Sequence, residues 1–146
     1  MARAVVEESR RRRLFLAPQT SAPGRARDFV ARACAAWHGE QYSEIGQLVV
    51  SELVSNAVVH SGTAIEVEVQ FVGDRLWLSV HDDGDGVPWV VPPHQRTIGG
   101  VGLDLVSRLA QSWGVTQDPR GGKDVWCELS ADAMSSAIRP VGDRSG

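Results

Sequence analysis

Ile65-Glu-Val-Glu-Val-Gln-Phe-Val-Gly-Asp-Arg-Leu-Trp-Leu-Ser-Val-His-Asp82 is the stretch from which the fold is read. Ile65, Val67, Val69 and Phe71 alternate with Glu66, Glu68 and Gln70, and Leu76, Leu78 and Val80 alternate again beyond Gly73-Asp74. Successive side chains of a strand point to opposite faces, so this pattern predicts two strands, each with one buried and one wetter face. A two-residue link of Gly and Asp suits a tight hairpin. One solvated face is a habit of antiparallel sheets.

On the N-terminal side, a helix is predicted from about Ser43 to His60, ended by Ser61-Gly62. Before it, Ser21-Ala-Pro-Gly-Arg opens another helix that runs to about Trp37. Ala26, Phe29, Val30, Ala33 and Cys34 form its apolar stripe and Gly39 ends it. Earlier still, Leu14-Phe15-Leu16 reads as a short strand entered by Arg10-Arg-Arg-Arg13, a charged edge that discourages unwanted strand pairing. On the C-terminal side comes a proline-rich loop, Val87 to Ile98. Gly99-Gly-Val-Gly102 then opens a third helix, Leu103 to about Ser112. Two last strands, near Val115 and at Val125 to Leu129, are separated by Asp118-Pro-Arg-Gly-Gly122. The order β-α-α-β-β-α-β-β implies an α+β fold: a two-layer sandwich with a mixed, mostly antiparallel sheet and helices on one face.

With 146 residues, the expectation is one domain spanning 1–146, with its core at about 12–130 and loosely held ends at 1–9 and 139–146. A net charge of −3 provides no basic field for nucleic acid or anionic lipid. No apolar run approaches the roughly 20 residues of a membrane span, and Met1 to Arg13 lacks the apolar stretch of a signal peptide, so a cytoplasmic protein is expected. Cys34 and Cys127 stand apart and are read as free thiols of a reducing compartment. Lys123 is the single lysine; all 14 other cationic side chains among the 15 Lys and Arg are arginine, a bias of GC-rich genomes.

Three places do not fit a plain core. On a wheel at about 100° per residue, Ile45, Leu48, Val49 and Val59 make an apolar arc with Glu52 and Asn56 in its middle, one turn apart. Val50, Val54 and Val58 lie behind. A carboxylate and an amide in a buried stripe are costly unless paired. They are a satisfied core pair, a pair that points into a surface notch, or a metal or phosphate site on the sheet-facing side. Next, Asp82-Asp-Gly-Asp-Gly86 follows a strand directly; its spacing is not that of a calcium loop. Finally, Gly99-Gly-Val-Gly102 opens a helix, where backbone N–H groups bind phosphate and glycine permits close approach. Neither a P-loop nor a complete dinucleotide fingerprint is present. His38, His60, His81 and His94 have no metal-like or triad-like spacing and are read as surface or loop residues, His60 near the site.

Taken in order, Glu52-Leu-Val-Ser-Asn56-Ala-Val-Val-His60, Asp82-x-Gly84-x-Gly86, Gly100-x-Gly102-Leu103 and Gly121-Gly-Lys-Asp-Val-Trp126 resemble the Bergerat-type ATP-binding fold of histidine kinases, gyrase-type ATPases and heat-shock chaperones. The resemblance covers about residues 12 to 130 and is greatest to the stand-alone serine kinases of the anti-sigma factor class. A sensor kinase is disfavoured, because no dimerisation helix with a phosphoacceptor histidine precedes the motifs. The resemblance implies ATP and Mg²⁺ as cofactors, with Asn56 as the metal-coordinating residue and Glu52 as catalytic general base. It implies Asp82 as acceptor for the adenine amino group, with Gly84 and Gly86 beside the base. It implies Gly100, Gly102 and Leu103 as the second glycine box, facing the phosphates. Phosphoryl transfer depends chiefly on such positioning and charge neutralisation.

The implied function is an ATP-dependent serine/threonine kinase that phosphorylates an anti-sigma antagonist, binds a sigma factor and can work as a homodimer. The alternative is a non-catalytic module that sequesters a partner, with ATP as a structural ligand or absent. The chain departs from the family pattern twice. Val101 stands where a basic residue is frequent, and Asp124 where a threonine often supports the adenine-binding aspartate. If Asp124 takes that place, Asp82 and Asp124 share a proton and ATP binds more weakly; the alternative is that Asp124, on one strand face with Trp126 and Glu128 and opposite Val125, Cys127 and Leu129, points away as a solvated residue.

Overall fold

The structure is a computed structural model that describes residues 10–84 and 106–132. The proline-rich loop, Gly86, Gly100, Val101, Gly102 and Leu103 lie outside the described residues. Strand β1 (Arg11–Leu16) is followed by helix α1 (Ala22–Ala36), a single 3-10 turn (Glu40–Tyr42) and helix α2 (Ser43–His60). Then come β2 (Ile65–Val72), β3 (Arg75–Asp82), β4 (Ser112–Gln117) and β5 (Lys123–Leu129). Residues 106–109, within the predicted third helix, are helical.

The five strands form one sheet in the order β1-β2-β3-β5-β4, and every pairing among the described residues is antiparallel. The predicted hairpin is present, with Val72 opposite Arg75 and Gly73 at φ 63° in the turn. Its apolar positions face inward. Ile65, Val67, Val69, Leu76, Leu78 and Val80 are all at most 1% exposed and share one core with Ala26, Val30 and Ala33 of α1 and Val49, Val50 and Val54 of α2. The burial of each such valine or leucine contributes roughly 1.5–3 kcal/mol. Both helices therefore cover the same face of the sheet.

The other face mixes charged side chains with Phe15 and the packed rings of Trp77 and Trp126, and β1 is one edge of the sheet. Arg11 and Arg13 reach across to Glu68 and Glu66, so the arginine run neutralises the acidic half of the β2 alternation. Exposed pairs of this kind are worth at most about 1 kcal/mol each. They mark which face is wet more than they hold the sheet together.

Local chemistry fixes the helix ends. His38, not Gly39, takes the left-handed position after α1 (φ 56°), and the Gly39 N–H donates to the Cys34 carbonyl. Gly39 is needed for a different reason: a Cβ there would overlap the Phe71 ring. That ring meets Trp37 edge-on and Tyr42 at a tilt, and the Tyr42 hydroxyl donates to the Asp74 carbonyl. The junction between the helices is thereby tied to the hairpin turn.

The arc expected on α2 is wrong. Its buried stripe is Gly46, Val49, Val50, Leu53, Val54 and Ala57, whereas Leu48 and Val59 are 44% and 74% exposed. Gly46 belongs to the stripe because a Cβ there would press on Val30 of α1 and Leu76 of β3. At about 100° per residue, Asn56 lies roughly 90° and Glu52 roughly 130° from the centre of this stripe. Both are half-buried on its flank and not in the core.

Candidate functional site

Helix α2 and strand β3 run side by side in the same direction. Gly46 at the start of α2 lies by Leu76 at the start of β3, and Ser61 just past α2 lies by Gly84 just past β3. The helix rises about 1.5 Å per residue, so Asn56 is roughly 7–8 Å along the axis from Ser61 and Glu52 roughly 6 Å further back. The fold thus carries Asn56 towards the end of β3 occupied by Asp82, with Glu52 one turn behind.

Asp82 ends β3 on the helix-covered face and is 3% exposed. Its Oδ1 accepts two hydrogen bonds, from Lys123 Nζ at 2.9 Å and from the Gly84 N–H at 2.9 Å. Its Oδ2 has no partner among the described residues. Gly84 is closely packed: a Cβ would stand 3.1 Å from both Asp82 Oδ1 and Ser61 Oγ, so one of those side chains would have to shift to admit it. The next link is also tied down: the Asp83 N–H donates to Thr63 Oγ1 at 2.9 Å, and the Ser61 and Thr63 hydroxyls bond to each other. The end of α2, the link into β2 and the end of β3 therefore form one hydrogen-bonded unit.

The turn from β4 to β5 closes over this unit. Gly121 and Gly122 have φ of 108° and 84°, and a Cβ on Gly122 would overlap the Asp82 carbonyl oxygen. Only glycine accommodates both the left-handed backbone and that approach. The approach sets the register Asp82↔Lys123, which brings the lysine, 6% exposed, onto the carboxylate.

Asp124 is therefore not beside Asp82. It alternates to the opposite face of the sheet, where its Oδ1 lies 2.9 Å from His81 Nδ1. Of the two readings of Asp124, the one in which it points away from Asp82 holds, and a proton shared by the two carboxylates does not, because period-2 geometry puts one on each side of the sheet. The neighbour of Asp82 is a cation. On the outer face, His81 also bonds Asp83 through Nε2 at 3.1 Å, with Asp118 at 3.8 Å from Nδ1. Burial pulls the His81 pKa down, but hydrogen bonds and charge from Asp83 and Asp124 outweigh it and hold the pKa above the ordinary 6.5. Asp118 is in turn held below the usual carboxylate range by hydrogen bonds from Arg120. This His81–Asp118–Asp124 group has partners throughout and reads as a surface ion-pair network.

Asn56 and Glu52 make no hydrogen bond among the described residues. The side-chain oxygen of Asn56 can serve as one hard-cation ligand, and Asp82 Oδ2 is an open acceptor for an exocyclic amino group. The residues present thus fit a nucleotide with its Mg²⁺. The residues that sequence reasoning missed are Lys123 and His81. The inward alternation of Val125, Cys127 and Leu129, extended two residues back, would have put Lys123 on the inner face.

The family described as "Histidine kinase-, DNA gyrase B-, and HSP90-like ATPase" matches residues 43–133, more than half of the chain. No curated protein sequence matches. Among solved structures, the histidine kinase domain from the Erythrobacter litoralis EL346 blue-light activated histidine kinase is similar with a TM-score of 0.48 and 23% identity. The likeness covers 77% of this chain and 64% of that one. A second structure, the Erythrobacter litoralis EL346 blue-light activated histidine kinase, also gives 0.48 and 23%, covering 73% of this chain and 44% of that one. No helix among the described residues is long and apolar enough to cross a membrane.

Proposed function

The chain belongs to the histidine kinase-, DNA gyrase B- and HSP90-like ATPase family, and on that premise we propose that it is an ATP-dependent serine/threonine kinase of an anti-sigma antagonist protein. In this reading it is a cytoplasmic regulator that also binds a sigma factor and works as a homodimer. The observation that carries the ATP site is Asp82: a buried carboxylate with one oxygen held by the protein and the other open, at the end of β3 towards which α2 carries Asn56.

Each residue has a definite task. Asp82 Oδ2 accepts from the adenine amino group. Asn56 offers its side-chain oxygen to Mg²⁺, which when bound neutralises phosphate charge. Glu52, half-buried one turn from Asn56, takes the proton of the acceptor hydroxyl as its oxygen attacks the γ-phosphorus and ADP leaves.

The test is radiolabel transfer from ATP to a cognate antagonist. Glu52→Ala keeps ATP affinity and loses transfer by roughly 10²-fold or more, the typical weight of a positioned base. Wild-type protein that binds the antagonist and never phosphorylates it would instead establish a sequestering module.

A further inference from the structure

We infer that Lys123 is a second base-reading group, whose ammonium donates to the ring nitrogen next to the amino group accepted by Asp82, so that the pair selects 6-aminopurine nucleotides. The inference rests on the ATP reading above and goes beyond it by assigning a specificity-determining residue.

Three observations carry it. First, the two side chains present complementary open groups side by side. Oδ1 of Asp82 already accepts two donors, so the acceptor left is Oδ2. No sealed side-chain oxygen or nitrogen among the described residues lacks a partner, so Oδ2 keeps access to solvent. An ammonium has three N–H donors, and among the described residues Lys123 spends one, on Asp82. The adenine edge offers an amino donor beside a ring acceptor, the mirror of an open acceptor beside an open donor. Guanine and hypoxanthine carry a carbonyl in place of the amino group, which would set oxygen against Oδ2.

Second, the cation is a lysine. A guanidinium forks onto both oxygens of a carboxylate and would close Oδ2 to any ligand. A lysine is a point charge that holds one oxygen and leaves the other. This chain uses arginine for every other cationic side chain of that pair of types, and its one lysine stands here.

Third, the position is built. The Lys123 side chain is 7% exposed, and the Asp82 side chain 4%. The glycine pair at 121–122 brings the start of β5 against the Asp82 backbone, which sets the register that joins them.

The experiment is titration of the unmodified protein with ATP, with 1-deaza-ATP, which keeps the amino group and replaces the ring nitrogen by CH, and with ITP, alongside Lys123→Met and Lys123→Arg. Wild type binds 1-deaza-ATP roughly 10- to 100-fold more weakly than ATP, the span of one hydrogen bond from a charged donor, and ITP more weakly still. Lys123→Met binds ATP and 1-deaza-ATP alike, and Lys123→Arg loses ATP. Equal wild-type affinity for ATP and 1-deaza-ATP overturns this inference and leaves the ATP reading standing. A wild-type protein that binds none of the three overturns both. The analogue arm needs no substitution, so it stands even if a variant fails to fold.

Discussion

Removing either partner of the Asp82–Lys123 pair should be costly, and removing both should not. The two side chains lie 2.9 Å apart and are almost sealed from water. Leaving one buried charge without its counter-ion costs about 3–5 kcal/mol. Asp82→Leu also strips the Gly84 N–H of its acceptor, about 1 kcal/mol more. For a chain of this size each kcal/mol lowers Tm by about 2–4 °C, so Lys123→Met should melt about 6–20 °C and Asp82→Leu about 8–24 °C below wild type. Replacing a whole buried pair with apolar side chains is often neutral, so Asp82→Leu combined with Lys123→Met should fall within about 1–2 kcal/mol of wild type. The assay is urea denaturation of the four proteins as a double-mutant cycle, with unchanged m-values as the check on two-state behaviour. Single variants that each lose less than about 1 kcal/mol, or a double variant that loses their sum, would refute the claim that these charges are buried against each other.

Three further outcomes follow from other parts of the molecule. Gly122→Ala should destabilise more than Gly73→Ala in the same denaturation assay; both glycines have positive φ, but only at Gly122 would the added carbon strike backbone, while Gly73 has open space. The thiols of Cys34 and Cys127, pushed up to about 11 and about 12 by burial, should resist alkylation at pH 8 in the native protein and react fully once it is unfolded. His81, whose folded pKa is raised above 6.5, contributes stability that is complete below the unfolded value and fades as pH rises through the folded one. The stability gap between wild type and His81→Gln should therefore be widest in mild acid and narrow towards pH 8, and a gap independent of pH would mean that His81 is not charged against Asp83 and Asp124.

The hairpin was legible in the sequence because its alternation is unbroken, and α1 because its stripe is narrow and flanked by arginines. Helix α2 showed its ends but not its buried face. Apolar side chains occur around most of its circumference, and the stripe that packs includes Gly46 and Ala57, which an arc of large side chains passes over. Packing against Val30 and Leu76 decides the face, and those contacts are set by tertiary structure. At the site, Asp82 was recognisable from Asp-x-Gly beyond a strand. Its partner was not, because the pairing of β3 with β5 joins positions 41 residues apart. Alternation along β5 left open which of its faces meets the helices, and that choice decides whether Asp82 faces a carboxylate or a cation.

The most direct test of the central claim, an ATP site built on Asp82 and Asn56, is calorimetric titration of ATP into the purified protein with and without Mg²⁺. The account predicts one nucleotide per chain, bound only with Mg²⁺. That binding should be lost in Asn56→Ala while its melting stays near that of wild type, because Asn56 flanks the buried stripe and makes no hydrogen bond among the described residues. Binding that persists unchanged without the metal and in Asn56→Ala, or an absence of binding by the wild-type protein, would contradict it.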